Sequence, residues 1–375
     1  FNSALVVPGE HFSYQIVMSA DEAAKAPEGT KLIDLKGMDG YKFGITISPL
    51  DCTGCNSWAN ICPAGAKNPE NSALLMKPLD SQKGQQDVFN YSVKLPVKND
   101  VIEKFGIGTV KGSQFAKPYL EFSGACAGCG ETPYAKLVTQ LFGDRMYIAN
   151  ATGCSSIWGC SAPSTPYTKD AKGKGPAWSN SLFEDNAEFG FGMMLANNAI
   201  RERLAESVEK LMSCGNADVE SAAKAWVETY NDSTANAAPS ETLVATLEGA
   251  SFADAEIGKA AREVLADADF LAKKSQWIFG GDGWAYDIGF GGLDHVLAQN
   301  QDVNILVFDT EVYSNTGGQA SKATPTGAIA KFAATGKEVK KKDLAAIAMS
   351  YGYVYVAQIA QGADYAQCVK AIAEA

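Results

Sequence analysis

The hydrophobic and polar positions divide this chain into two parts. The first hundred residues are rich in turns, with short strand-like runs at 41–48 and 73–76 on either side of a group of cysteines. After a polar stretch at 80–117, apolar segments with helical spacing alternate with apolar segments with strand spacing. That alternation is typical of a sheet covered by helices on both faces. We therefore predict a small loop-rich region over residues 1–100 and an α/β domain over residues 101–375.

Helical patterns occupy much of the α/β part. Residues 184–203 and 219–270 are mainly alanine-rich with helical spacing, and a Lys/Gly loop precedes them at 169–176. The chain stops within a further helical pattern at 363–375, with no glycine or proline to end it, and it does not begin with methionine. We therefore expect a fragment of a longer chain, truncated at the C-terminal end of the α/β domain.

The composition is that of a globular protein and argues against two classes of partner. Of the 375 residues, 46% are hydrophobic, which is enough for more than one core. The formal net charge of -11 disfavours nucleic acid, because that binding depends on lysine and arginine. No apolar run reaches the roughly 18 residues that would span a bilayer, and residues 1–10 lack the features of a signal peptide. We expect a soluble, intracellular protein without a nucleic-acid or membrane partner.

Two strand ends carry the strongest candidate chemistry. An apolar strand at 276–279 runs into a Gly-Gly-Asp-Gly turn at 280–283, which precedes helical spacing at 286–299. A second apolar strand at 303–308 opens into a polar loop at 309–318. Glycines let the backbone approach a diphosphate, and acid and hydroxyl oxygens can hold the magnesium that bridges its phosphates. Since ligands of open α/β folds lie at the carboxyl ends of strands, the two loops predict one shared site.

A dinucleotide site is the alternative interpretation of these loops. Its fingerprint requires glycines at G-x-G-x-x-G, and Tyr286 stands where the third glycine would be. Asp309 does end the next strand, as a ribose-binding acid would. We rank this alternative second.

Cys126, Cys129 and Cys154 form part of a four-thiolate site. Iron–sulfur clusters and zinc both accept such a site, but the chain has only two histidines and neither lies nearby, which disfavours a mixed Cys/His zinc site. Cys160 is the local candidate for a fourth ligand. We favour an iron–sulfur cluster over zinc and over buried thiols. Because seven of the nine cysteines fall in local groups, metal binding is also favoured over long-range disulfides.

Cys52, Cys55 and Cys62 nearly fit the bacterial ferredoxin pattern C-x2-C-x2-C-x3-C-P. Trp58 occupies the place of the third cysteine, so one cluster would be a thiolate short. That cluster would be a three-iron form, would use another ligand, or would be lost.

Together these motifs resemble the thiamine diphosphate enzymes, and most closely the pyruvate:ferredoxin oxidoreductase family. The resemblance is carried by the Gly-Asp-Gly turn at 281–283, by the Asp-Thr-Glu-Val-Tyr-Ser-Asn loop at 309–315, and by the sequences around the cysteines at 121–133 and 149–159. It implies a thiamine diphosphate-binding α/β fold, preceded by a partial ferredoxin-like region for 4Fe-4S clusters.

The resemblance also implies roles for single residues. Magnesium would be bound by the side chains of Asp282 and Thr310 and by the carbonyl of Val312. Glu131 and Cys154 would contact the cofactor. Further cofactor contacts are implied for Gly281, Asp282, Gly283, Trp284, Thr310, Glu311, Val312, Tyr313, Ser314 and Asn315. Asn315 is also placed toward the substrate.

For the cysteines, the resemblance implies that Cys126, Cys129 and Cys154 bind the 4Fe-4S cluster nearest the cofactor. The fourth ligand would lie beyond Ala375, so Cys160 is left out of the set. Cys52, Cys55 and Cys62 would serve the ferredoxin-like clusters.

The implied activity is oxidative decarboxylation of pyruvate with coenzyme A to acetyl-CoA and CO2. Electrons would pass through the clusters to ferredoxin or flavodoxin. Another 2-oxoacid such as 2-oxoglutarate, or a non-enzymatic iron–sulfur electron carrier, stays open as an alternative. We expect the full-length protein to be a homodimer in the cytoplasm, or in an anaerobic organelle such as a hydrogenosome, and the fragment alone to be inactive.

Overall fold

The structure, a computed structural model, describes residues 13–52, 54–56, 59–60, 62, 65, 68, 70, 72–73, 75–160 and 165–375. Trp58, which stands in the place of the third ferredoxin cysteine, lies outside the described residues.

The first part of the chain contains a small antiparallel sheet. Its strands are β1 Ser13–Ser19, β2 Ile33–Asp34 and β3 Tyr41–Ile47, in the order β1–β3–β2. The predicted strand at 41–48 is thus confirmed. The prediction of a strand at 73–76 is wrong for the residues of this run that the structure describes. Leu75 and Met76 lie outside any strand and are about half exposed, because a short apolar run without a neighbouring strand cannot complete its backbone hydrogen bonds.

The helices and the remaining strands follow in chain order. The helices are α1 Ala20–Ala24, α2 Gln85–Ser92, α3 Asn99–Phe105, α4 Val110–Ser113, α5 Thr132–Phe142, α6 Cys154–Gly159, α7 Asn186–Leu211, α8 Ala217–Glu228, α9 Ala237–Glu248, α10 Ala255–Ala266, α11 Phe290–Ala298, α12 Leu344–Met349 and α13 Tyr365–Glu374. The strands are β4 Met146–Ala151, β5 Ala177–Ser181, β6 Ser275–Gly281, β7 Asn304–Phe308, β8 Val312–Tyr313 and β9 Gln319–Ala320.

The helical predictions for the α/β part are confirmed, with shifted ends. The pattern at 184–203 becomes α7, which runs eight residues further, to Leu211. The pattern at 219–270 becomes α8, α9 and α10, of which α8 begins behind the side-chain cap of Asn216 and α10 behind that of Asp254. The pattern at 363–375 becomes α13. The helix predicted at 286–299 is divided into a π-helical turn at Gly283–Ile288 and α11, which begins at Phe290.

The α/β part is built on a parallel sheet with the strand order β5–β4–β6–β7. Both strands predicted beside the candidate loops, at 276–279 and 303–308, belong to it as β6 and β7. Gly281 pairs with Phe308, so the two strands end side by side. The carboxyl ends of β4, β6 and β7 therefore meet at one edge of the sheet.

Helices cover both faces of this sheet, as the sequence pattern predicts. On one face, Leu137 of α5 and Val369 of α13 share a buried core with Trp277 and Phe279. On the other face, α7 and α11 share a core with Ala149 and Ile278. Gly190 lets α7 lie close to the sheet, since a Cβ atom there would come within 2.5 Å of the Ile278 side chain.

The C-terminal half of α7 and helices α8 to α10 enclose a core of their own, with Trp226 at its centre. Arg201 joins this helical unit to the segment that leads into β6. Its guanidinium is buried and donates to the carbonyls of Phe270, Leu271 and Tyr230. Within the described part of the chain, we find no helix that combines the length and the apolar character needed to cross a membrane.

Candidate magnesium and cofactor site

The predicted magnesium ligands come together at the ends of β6 and β7. Asp282 follows β6 directly, and Thr310 lies two residues after the end of β7. The hydroxyl of Thr310 is 3.0 Å from Oδ1 of Asp282 and 3.1 Å from the carbonyl oxygen of Val312. The Thr310 hydroxyl thus lies within hydrogen-bond distance of the oxygens of both Asp282 and Val312. The oxygen of Ser314 is 2.7 Å from that of Thr310 and extends the group.

Asp282 is a buried carboxylate, with 1% of its surface exposed. Burial raises its pKa, and the hydrogen bonds from Ser321 and Thr310 act in the opposite direction. Ser321 donates to Oδ2 at 2.5 Å, while Thr310 donates to Oδ1. The carboxylate is therefore held from both sides.

The donor set suits magnesium. A carboxylate, a hydroxyl and a backbone carbonyl are the hard oxygen ligands that Mg2+ takes, and it keeps further positions for water and for phosphate oxygens. The glycine turn adds the room that a diphosphate needs. A Cβ atom on Gly281 would have no neighbour closer than 3.8 Å, so the backbone there is open. Asp282, Thr310 and Val312 therefore fit a magnesium diphosphate.

The other predicted cofactor residues differ in how far they are exposed. Gly283 packs against Tyr313, since a Cβ atom there would come within 2.5 Å of its ring. Trp284 has no exposed surface, and its indole packs against Gly280 and Gly289 in the core. Among the predicted cofactor residues at 310–315, the exposed ones are Thr310, Glu311, Ser314 and Asn315.

Glu131 lies immediately before α5 and is buried, with 6% of its surface exposed. Its Oε2 accepts a 2.8 Å hydrogen bond from Nε1 of Trp158 in α6. Burial raises the pKa of Glu131 to about 6, the hydrogen bond from Trp158 lowers it, and the negative charge of Asp282 raises it. The Glu131 and Asp282 carboxylates are thus close enough to influence each other, which joins the two motifs at one place.

The charges of Cys126 and Cys129 act on Cys154, but the described part of the chain does not gather the three thiols as a metal site. Gly128 has a positive φ of 72° and closes a turn in which the Cys129 N–H donates to the carbonyl of Cys126. Cys154 begins α6 directly after β4. Burial, together with the charges of Glu131, Cys129 and Cys126, raises the pKa of its thiol to about 12.

Two of the ferredoxin-like cysteines are accessible, and one is not. Cys52 is exposed, Cys55 is partly exposed and Cys62 is buried, where its Sγ accepts from the Ala73 N–H at 3.3 Å. Within the residues that the structure describes, no group of three or more His, Cys, Asp or Glu side chains is gathered as a metal site. The described cysteines are free of disulfides.

Sequence reasoning missed two residues of this site. Ser321 contacts Asp282 from 39 positions away along the chain, and no motif marks it. Trp158 contacts Glu131 from 27 positions away, and its place four residues after Cys154 was the only available hint.

The sequence of this chain is similar to that of known proteins. Residues 256–375 match the family described as "Thiamine pyrophosphate enzyme, C-terminal TPP binding domain". The chain is 54% identical over 364 residues to pyruvate-flavodoxin oxidoreductase of Klebsiella pneumoniae, covering 96% of this chain and 30% of the relative. It is 52% identical over 377 residues to pyruvate:ferredoxin oxidoreductase of Moorella thermoacetica, covering 99% and 31%.

This chain is a homologue of the pyruvate:ferredoxin and pyruvate-flavodoxin oxidoreductase family. The resemblance drawn from the motifs is confirmed. A third relative, pyruvate dehydrogenase (NADP+) of Cryptosporidium parvum, is 47% identical over 390 residues, which cover 94% of this chain and 20% of that protein. The chain thus spans about 30% of the length of the first two relatives. The family match at 256–375 also favours thiamine diphosphate over a dinucleotide at the glycine turn.

Proposed function

We propose that this chain supplies the magnesium–thiamine diphosphate site of an enzyme that oxidises pyruvate with coenzyme A to acetyl-CoA and CO2. The single observation that carries the proposal is the convergence of Asp282, Thr310 and Val312. The Thr310 hydroxyl lies 3.0 Å from Oδ1 of Asp282 and 3.1 Å from the carbonyl oxygen of Val312. In this proposal Asp282 and Thr310 bind Mg2+ through their side chains and Val312 binds it through its carbonyl. When bound, thiamine diphosphate supplies a centre that stabilises negative charge on the carbon next to the departing CO2.

The residues of this chain hold and orient the reacting groups. The glycine turn at 281–283 and the loop at 310–315 line the diphosphate, with Trp284 contributing main-chain atoms only, because its indole lies in the core. Glu131 contacts the cofactor and is kept in place by Trp158. Asn315, which is exposed, faces the substrate.

We further propose that Cys126, Cys129 and Cys154 bind the 4Fe-4S cluster nearest the cofactor. The charges of the other two cysteines act on the Cys154 thiol, which supports a common site, and the Glu131 and Asp282 charges act on it as well. The C-x-x-C turn supports the same assignment, because the Glu131 N–H donates to Sγ of Cys129 at 3.4 Å and such donors stabilise the negative charge of a cluster. Cys52, Cys55 and Cys62 are assigned to ferredoxin-like clusters on their spacing alone.

The remaining parts of the proposal rest on the resemblance of the motifs to the family. Each overall reaction releases two electrons, which pass one at a time through the clusters to ferredoxin or flavodoxin. The full-length protein is a homodimer of a reducing compartment, the cytoplasm or an anaerobic organelle. Residues 1–100 form the ferredoxin-like region and residues 101–375 the cofactor domain.

The test is an anaerobic assay of the natural full-length protein. Coenzyme A and either pyruvate or 2-oxoglutarate are supplied, and reduction of ferredoxin or flavodoxin is followed. We expect reduction that requires both pyruvate and coenzyme A. Faster reduction with 2-oxoglutarate would reassign the substrate, and no reduction with either acid would leave an electron carrier as the function.

Electron paramagnetic resonance of the dithionite-reduced protein tests the clusters separately. We expect the signal of reduced 4Fe-4S clusters, and we expect Cys129→Ala to remove the contribution of one cluster. Cys214→Ala is the matched control, since Cys214 lies apart from this site in the core of the helical unit. A featureless spectrum with bound zinc would contradict the cluster assignment.

A further inference from the structure

Beside the magnesium ligands, the segment 321–342 crosses the strand ends of β6 and β7. We call residues 321–342 the strap. We propose that Ser321 of the strap is a positioning residue that fixes the orientation of the Asp282 carboxylate for magnesium, and that Lys337 holds Ser321 in place. This inference rests on the proposed function, because it concerns the same magnesium site.

Ser321 makes the closer of the two side-chain hydrogen bonds to Asp282. Its hydroxyl donates to Oδ2 at 2.5 Å, and the Thr310 hydroxyl lies 3.0 Å from Oδ1. Ser321 is itself buried, and its Oγ accepts from the Ala323 N–H at 3.0 Å. That bond leaves the hydroxyl proton directed at the carboxylate. With Oδ2 engaged by Ser321, Oδ1 is the oxygen left toward Thr310 and Val312, where the ion would bind.

Lys337 binds backbone carbonyls around Ser321. Its Nζ donates to three carbonyls, those of Ser321 at 3.0 Å, Lys322 at 3.1 Å and Thr324 at 2.7 Å. One ammonium therefore closes the turn that carries Ser321. Thr324 completes this turn, because its hydroxyl accepts from the Ser321 N–H at 2.9 Å and donates to the carbonyl of Glu311. The turn is thereby tied to the second loop of the site.

Three further lysines fasten the strap to the loops that it crosses. Lys322 pairs with Asp287 at 2.8 Å, and Lys341 pairs with Asp309 at 2.6 Å. Lys342 donates to the carbonyl of Tyr286 at 3.0 Å. These bonds attach the strap at Lys322, next to Ser321, and at Lys341 and Lys342, beyond Lys337. The residues that they contact lie in the π-helical turn after β6 and in the loop after β7. Because Ser321 fixes its orientation, the Asp282 carboxylate does not have to rotate before it binds Mg2+. Residues that hydrogen-bond to a metal ligand raise the affinity for the metal in this way.

The test measures Mg2+ binding to the natural full-length protein, stripped of metal and saturated with thiamine diphosphate. Isothermal titration calorimetry reports the affinity independently of activity. Ser321→Ala should weaken Mg2+ binding by about 10–100-fold, the usual effect of removing a partner of a metal ligand. Ser321→Thr, which keeps the hydroxyl, should restore most of the affinity. Lys337→Met should weaken binding by roughly threefold to tenfold, since it acts through the turn.

Lys340→Met is the matched control, because Lys340 is an exposed lysine of the same strap. Its Mg2+ affinity should equal that of the wild type. If Ser321→Ala fails to fold, the test is the Mg2+ affinity of Lys337→Met compared with that of Lys340→Met. Unchanged affinity in Ser321→Ala, or equal affinities in Lys337→Met and Lys340→Met, would overturn the positioning role while leaving the magnesium site intact. Absence of Mg2+ binding in the wild type would instead overturn the proposed function, and the positioning role with it.

Discussion

The indole nitrogen of Trp158 donates a 2.8 Å hydrogen bond to Oε2 of Glu131, and both side chains are buried. Trp158→Phe removes the donor and leaves the carboxylate buried without it. Since hydrogen bonds to charged groups contribute about 1.5–3 kcal/mol, we expect the free energy of unfolding to fall by about that amount at neutral pH. The fall should show in urea-induced unfolding.

The control for this variant is Trp178→Phe. The Trp178 indole nitrogen has no hydrogen-bond partner among the residues that the structure describes. Its replacement therefore removes ring contacts but no bond to a carboxylate, and should cost less than about 1.5 kcal/mol. Equal losses in the two variants would mean that the Glu131 bond contributes nothing.

The two glycines that flank Asp282 should respond differently to alanine. A Cβ atom on Gly283 would come within 2.5 Å of the Tyr313 ring, whereas one on Gly281 would have no neighbour closer than 3.8 Å. Gly283→Ala should therefore lower both the melting temperature and the affinity for thiamine diphosphate, because Tyr313 belongs to the cofactor loop. Gly281→Ala should keep the melting temperature and lower only the affinity, since its methyl group would occupy the space of the diphosphate.

Scanning calorimetry measures the melting temperature of each glycine variant, and binding titrations measure its affinity for thiamine diphosphate. A lower melting temperature in Gly281→Ala would contradict this account.

Glu121 should make stability depend on pH. Burial raises its pKa from 4.5 to about 7, and the charge of Lys136 lowers it only in part. Between these two values the folded protein holds a proton that the unfolded chain has lost. The stability contributed by this group is therefore complete below pH 4.5 and is lost as the pH rises through about 7. The change over the whole range should be on the order of 3 kcal/mol.

Melting temperatures measured from about pH 5 to about pH 8 check this prediction. Glu121→Gln should flatten the decline with rising pH. Glu103→Gln, at an exposed position of α3, should retain the wild-type profile. A decline of the same size in Glu121→Gln would assign the pH dependence to other groups.

The sequence predicted those parts of the site that come directly after a strand. Asp282 and Thr310 each follow an apolar strand, and adjacent parallel strands bring such positions to one edge of a sheet. The spacing of polar and apolar residues therefore sufficed to place the two loops together. Periodicity likewise predicted α7 to α10, because each buries one apolar stripe against a shared core.

Contacts between distant parts of the chain were not predictable in this way. Ser321 reaches Asp282 only because the strap folds back over β6, and nothing near Ser321 in the sequence marks that path. Trp284 stands in the glycine turn, yet the turn directs its indole into the core. The run at 73–76 has the composition of a strand, but whether such a run pairs depends on a neighbour that composition does not reveal.

The magnesium site is tested most directly by calorimetric titration of thiamine diphosphate and Mg2+ into the anaerobically prepared full-length protein and into its Asp282→Ala variant. Asp218→Ala, at an exposed position in the first turn of α8, serves as the control. We predict saturable binding in the wild type and the control, and at least about 100-fold weaker binding in Asp282→Ala, because the variant lacks the one carboxylate among the three magnesium ligands. Equal affinity in Asp282→Ala and the wild type would contradict the assignment of Asp282 as a magnesium ligand.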